Sequence, residues 1–174
     1  MNVLLVGPYE TKGRYEGGIS YIVNTITSEK KLYHSQNLKI KKFDTCRVER
    51  KMTDQGKLSV GNITNTLSII KNIKKVIKKS HPDVIYYNSS YGLPLLKDLV
   101  VLWLAGCKKS TKVILHIHFA DVEKILPADK RLADLTMDLI KKAVNHVVFL
   151  SKKTQRAFIE FGLKESQTSV LYNF

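Results

Sequence analysis

Val84-Ile85-Tyr86-Tyr87 is an unbroken run of β-branched and aromatic residues, entered through the breaker His81-Pro82-Asp83. So short and so apolar a run reads as a strand buried on both faces, as in a parallel sheet. Upstream, Asn62 caps a helix that the spacing of Ile63, Leu67, Ile70, Ile73 and Ile77 carries to about Lys79. Downstream, Leu93 to Ala105 has a helical pattern stopped near Gly106, and Lys112 to His118 is the next strand. This one stretch is therefore helix, strand, helix, strand.

The alternation continues in both directions. Val3 to Val6 is a strand ending at Gly7-Pro8, Tyr9 to Gly18 a glycine-bearing loop, and Ile19 to about Leu32 a helix. Lys39 to Thr45 is a strand, and residues 46–60 form a polar, basic loop read as mobile. Beyond His118 come a helix over 128–145, a strand from His146 to Leu150, a helix from Ser151 to Phe161 stopped by Gly162, and a strand from Thr168 to Tyr172. Such an order predicts an α/β fold: a Rossmann-like parallel sheet of about six strands with helices on both faces. All strand C-terminal ends then share one edge, where open α/β sheets bind ligands.

The chain of 174 residues has the length of one domain, and 44% hydrophobic with 25% charged residues is a globular composition. Cys46 and Cys107 are too few for a disulfide framework or a four-cysteine zinc site, which points to a reducing compartment. The longest apolar stretch, Leu93 to Ala105, is short and carries Lys97 and Asp98, so it does not span a bilayer; no export signal precedes the first strand. The expected location is the cytoplasm, with peripheral attachment at the inner face of a membrane left open. Net charge is +14, and residues 1–80 hold 16 basic against 6 acidic residues, a surplus of ten. Anionic partners follow: phosphorylated substrates, an anionic membrane or nucleic acid. Nucleic acid ranks last, because no zinc-finger, helix-turn-helix or aromatic RNA-binding pattern accompanies the charge.

Four groups of residues could carry chemistry. Gly17 and Gly18 close the loop before the first helix, where bare N–H groups suit a phosphate, although neither a P-loop nor a dinucleotide fingerprint is present. His116 and His118 share one face of their strand, and His118 is nearer the ligand edge, where it could donate a hydrogen bond to a sugar hydroxyl or phosphate or act as acid or base; His116 reads as structural. Asn88, Ser89 and Tyr91 follow the third strand and could meet a polyol, or could simply cap the next helix. Lys71, Lys74, Lys75, Lys78 and Lys79 gather on one face of their helix, either solvated or set against anionic headgroups. Asp121 and Glu123 read as a helix-start pair rather than a metal site.

Taken in order, these pieces resemble the N-terminal, acceptor-side half of a family 4 retaining glycosyltransferase of GT-B architecture. The resemblance rests on Gly7-Pro8, Gly17-Gly18-Ile19-Ser20, His81-Pro82-Asp83-Val84-Ile85, His118, Leu150-Ser151, Gly162 and Val170-Leu171-Tyr172-Asn173-Phe174. It implies one Rossmann-like domain over residues 1–174, with the C-terminal donor-binding domain absent and the piece inactive by itself. The implied reaction moves a sugar from a nucleotide-sugar to a saccharide or lipid-linked acceptor with retention, as in polysaccharide biosynthesis, and needs no metal and no cofactor. Gly17 and Gly18 resemble the glycines that approach the donor diphosphate, and His118 the active-site histidine near the transferred sugar. Asn88, Ser89 and Tyr91 fall where acceptor contacts are expected, while Phe119 departs from the small or polar residue that often follows the histidine. The competing reading is a stand-alone nucleotide- or phosphate-binding Rossmann module without transferase activity.

Overall fold

The computed structural model describes residues 1–9, 18–29, 33, 36–45, 60–126 and 129–172. Six parallel strands form one sheet: β1 (Asn2–Gly7), β2 (Lys39–Asp44), β3 (Val84–Ser89), β4 (Lys112–Ile117), β5 (His146–Phe149) and β6 (Thr168–Val170), in the spatial order β2-β1-β3-β4-β5-β6. The connections are α1 (Gly18–Ser28), α2 (Val60–Ser80), α3 (Gly92–Leu104), the short α4 (Cys107–Ser110) and α5 (Val122–Ile125), α6 (Lys130–Ala143) and α7 (Lys152–Glu160), with a 3₁₀ turn at Glu165–Gln167 before β6.

Chain direction across the sheet reverses once. From β1 the chain steps to β2 on one side, then returns over β1 to β3 and continues outward. Right-handed crossovers put the helices of the two directions on opposite faces. The packing agrees: Leu5 and Val23 of α1 pack with Tyr86, whereas Leu4, Val6, Ile85, Tyr87 and Leu115 join the main core with α2, α3 and α6. The gap between β1 and β3, where the direction switches, is the place at which such sheets bind ligands.

Local chemistry sets the element ends. Asp129 accepts from the Leu132 amide (3.0 Å) and Ser151 from the Thr154 amide (3.1 Å), capping α6 and α7. Gly162, at φ +93°, takes the left-handed turn that stops α7. On the β2 edge, exposed Lys39, Lys41 and Lys42 discourage pairing with another strand.

The sequence reading needs several corrections. β3 runs on through Asn88 and Ser89, because both continue the ladder to His116 and Ile117 of β4. His118 lies one residue beyond β4 but is still tied to β3 by its amide, which donates to the Ser89 carbonyl (2.9 Å). α1 ends at Ser28, short of Leu32, and the short helices α4 and α5 were not anticipated. Along α2, Ile70, Ile73 and Ile77 are buried as expected, but Ile63 and Leu67 are 56% and 59% exposed. The reason is length: a helix of 21 residues reaches about 31 Å, and a strand of six residues spans about 20 Å, so the first turns of α2 overhang the sheet. Gly17, Cys46 and nearly all of the loop over 46–60 lie outside the described residues.

Candidate functional site

At the switch point the strand ends carry a polar row on the α1 face. Tyr86 and Asn88 of β3 lie beside His116 of β4 and His118 just past it. Asn88 is 2% exposed, yet both ends of its amide are used. Its Nδ2 donates to the Val6 carbonyl of β1 (3.0 Å), and its Oδ1 lies 2.8 Å from His118 Nε2. Tyr86 Oη lies 2.9 Å from His116 Nδ1, with the two rings edge to face. The imidazoles of His116 and His118 pack at 3.8 Å between centroids. The row thus crosses β1, β3 and β4 as one chain of contacts.

Gly7 makes room for it. A Cβ at this position would stand 3.2 Å from both Asn88 Cβ and Val23 Cγ2, so any larger residue presses on the amide that reaches His118. Space rather than backbone angle makes this glycine useful, and a Gly-Pro strand end alone does not show it.

Burial disfavours the charged form of both histidines. It pushes His116 down to about 4 and His118 to about 3, the neighbouring His116 adding to the shift of His118. Both rings are therefore neutral at physiological pH, while in the unfolded chain they protonate near 6.5. The stabilisation is complete above pH 6.5 and is lost as pH falls toward the folded values, since the unfolded state then binds more protons. By pH 5 the two histidines together should cost about 4 kcal/mol relative to pH 7. Urea midpoints at the two pH values check this, and a His116→Gln variant should show about half the histidine share of the drop. An unchanged pH slope in that variant would show that the ring is not held neutral by the fold.

The other face of β3 does different work. Ser89 is 1% exposed, and its hydroxyl donates to Asp98 Oδ2 of α3 (2.7 Å). Tyr87 donates to Oδ1 of the same carboxylate (2.9 Å), which Lys97 also meets at 2.9 Å. Burial first, then Asp98, holds the Tyr87 phenol well above its ordinary value, so it remains a donor. Ser89 is thus turned into the fold rather than toward a polyol, which corrects the expectation of an acceptor contact. Asn88 is likewise committed to internal partners. Asp98 was missed, although a carboxylate inside the apolar run Leu93 to Ala105 was a readable signal.

Tyr91 keeps an outward position, 42% exposed, and stacks on Phe119 at 3.8 Å between centroids and 20° between planes. The departure at Phe119 therefore builds an aromatic pair at the ligand edge beside His118. Gly18 opens α1 and is exposed, with nothing within 4 Å of a Cβ built there. Asp121 pairs with Lys124 of α5 at 3.0 Å, and among the described residues no three His, Cys, Asp or Glu side chains cluster as metal ligands. Cys107 is buried, and its thiol is pushed up to about 12 by burial, which makes it inert.

A parallel sheet wound both ways from β1, with its polar row at the switch point, is a Rossmann-like domain of the kind found in GT-B enzymes. A model of the family described as Glycosyltransferase Family 4 matches residues 46–174, and the chain belongs to that family. Among solved structures it is similar to the lipopolysaccharide outer core galactosyltransferase WaaB in its apo form, with 16% identity and a TM-score of 0.64 over 99% of this chain and 46% of that one. It is also similar to Anabaena Alr3699/HepE in complex with UDP and glucose (18% identity, TM-score 0.50, 99% of this chain and 44% of that one). A UDP-N-acetylglucosamine 2-epimerase from Rickettsia bellii is similar as well (13% identity, TM-score 0.63, 98% and 44%). These likenesses show the fold, which serves a transferase and an epimerase alike. The chain spans a little under half the length of each. No curated protein sequence matches it.

Proposed function

We propose that the chain is the acceptor-side half of a retaining glycosyltransferase that moves a hexosyl group from a nucleotide-sugar to a saccharide or lipid-linked acceptor. The observation that carries this reading is His118 at the C-terminal edge of the sheet, beside the switch point and linked to β1 and β3 through Asn88. Support comes from the family and from Alr3699/HepE, solved with UDP-glucose. In this reading His118 stands next to the transferred sugar, and Gly17 and Gly18 meet the donor diphosphate at the start of α1. Tyr91, with Phe119, meets the acceptor. Departure of the nucleotide is helped by positive groups on the diphosphate rather than by a metal of this half.

The test is transfer by the whole protein that contains this chain, assayed with a panel of nucleotide-sugars and glycan acceptors. Anomeric configuration of the product is read by NMR. Retention is expected, and an inverted product would overturn the mechanism. The chain of residues 1–174 assayed alone should transfer nothing. Nucleotide binding without transfer by the whole protein would favour the stand-alone binding module.

The same reading places the protein on the cytoplasmic side, peripheral to an anionic membrane. No helix among the described residues is long and apolar enough to cross a bilayer. Lys71, Lys74, Lys75, Lys78 and Lys79 are all exposed on α2, and each lysine near an anionic surface contributes about 1 kcal/mol. Sedimentation with phosphatidylserine vesicles should exceed that with phosphatidylcholine vesicles and weaken with salt. Charge reversal of three of these lysines should abolish the difference; unchanged binding would leave the stripe a solvated surface.

A further inference from the structure

The amide of Asn88 has only one orientation available. The Val6 carbonyl can only accept, so the atom 3.0 Å from it must be the NH₂ nitrogen. The atom facing His118 Nε2 at 2.8 Å is then the amide oxygen, which also can only accept. Nε2 must therefore carry the proton. In a neutral ring this leaves Nδ1 as a bare lone pair, and Nδ1 is buried with no hydrogen-bond partner among the described residues. Nε2 of the neighbouring His116 is likewise buried with no partner among the described residues, and each such bare group costs about 1–3 kcal/mol.

We propose that Asn88 is a positioning residue that, anchored on the Val6 carbonyl, locks His118 in its Nε2–H form and makes it an acceptor through Nδ1. This rests on the reading of His118 as the histidine of the sugar site. Gly7 belongs to the device, since a Cβ there would press on Asn88 at 3.2 Å, closer than ordinary contact.

The test is ¹⁵N NMR of the histidine rings in the 174-residue chain, with His118 assigned through its contact to Asn88. The expected result is one Nε2–H proton in slow exchange with water and an unprotonated Nδ1 between pH 5 and 8. A Nδ1–H ring or a rapidly exchanging mixture overturns the lock. In Asn88→Ala the protected proton should be lost, and its persistence in a folded variant takes the control away from Asn88. Should Asn88→Ala not fold, Asn88→Asp sets a carboxylate against Nε2. The His118 pKa should then rise by about 1–3 units, and an unmoved ring shows that position 88 does not couple to it. The readout is the ring itself, so it is independent of transfer. Normal turnover in a folded His118→Ala enzyme would retire the functional reading and leave the lock standing.

Discussion

His118→Ala, in the whole enzyme, is expected to lower turnover by about 10²–10⁴-fold, the range for a lost side chain that handles a proton or hydroxyl in the transition state. Its stability should fall too, by about 1–3 kcal/mol, because the buried Asn88 amide oxygen loses its partner and His116 loses a packed ring. His116→Ala should cost stability without a comparable loss of turnover. It removes the partner of a mostly buried Tyr86 hydroxyl and the packing against that ring, at about 2–3 kcal/mol. For a domain of this size that is roughly 4–12 °C in Tm. Steady-state kinetics and melts on both variants decide between the roles. A folded His118→Ala enzyme within a few-fold of normal turnover would make His118 structural.

Asp98→Ala should severely damage the fold, at about 3–5 kcal/mol. Two hydroxyls, those of Tyr87 and Ser89, end on this one buried carboxylate between β3 and α3, which also meets Lys97. Truncation leaves both without an acceptor and opens a small cavity between them. Asp98→Asn keeps one acceptor oxygen and should cost less, about 1–2 kcal/mol. A whole-domain stability of about 5–15 kcal/mol makes the alanine variant marginal. Its consequence reaches the ligand edge, because α3 begins at Gly92, directly after Tyr91. Urea unfolding measures both variants. A loss below about 1 kcal/mol for Asp98→Ala would show that α3 is held by its leucines alone.

What the sequence by itself determined is the framework. Short β-branched runs alternate with helical spacing, and that order admits little except a parallel sheet covered on both faces. The place of the ligand edge follows, because right-handed crossovers leave no choice, and with it the nearness of His118 to that edge. The helix stops at Gly106 and Gly162 were legible too, since left-handed backbone is cheap only for glycine.

Tertiary structure alone decided what the polar residues do. Asn88, Ser89 and Tyr91 were equivalent on paper, a polar stretch after a strand. In the fold, Asn88 bridges to a carbonyl 82 residues away, Ser89 turns to the opposite face and Asp98, and Tyr91 stays outside against Phe119. Alternation along a strand sorts side chains between two faces, but which partner waits on each face depends on strands and helices distant in sequence. The direction of each hydrogen bond depends on that partner as well. A neutral imidazole can present its proton on either nitrogen, and no local pattern chooses between them. The choice at His118 is made by the Val6 carbonyl, which can only accept and so orients the amide in between.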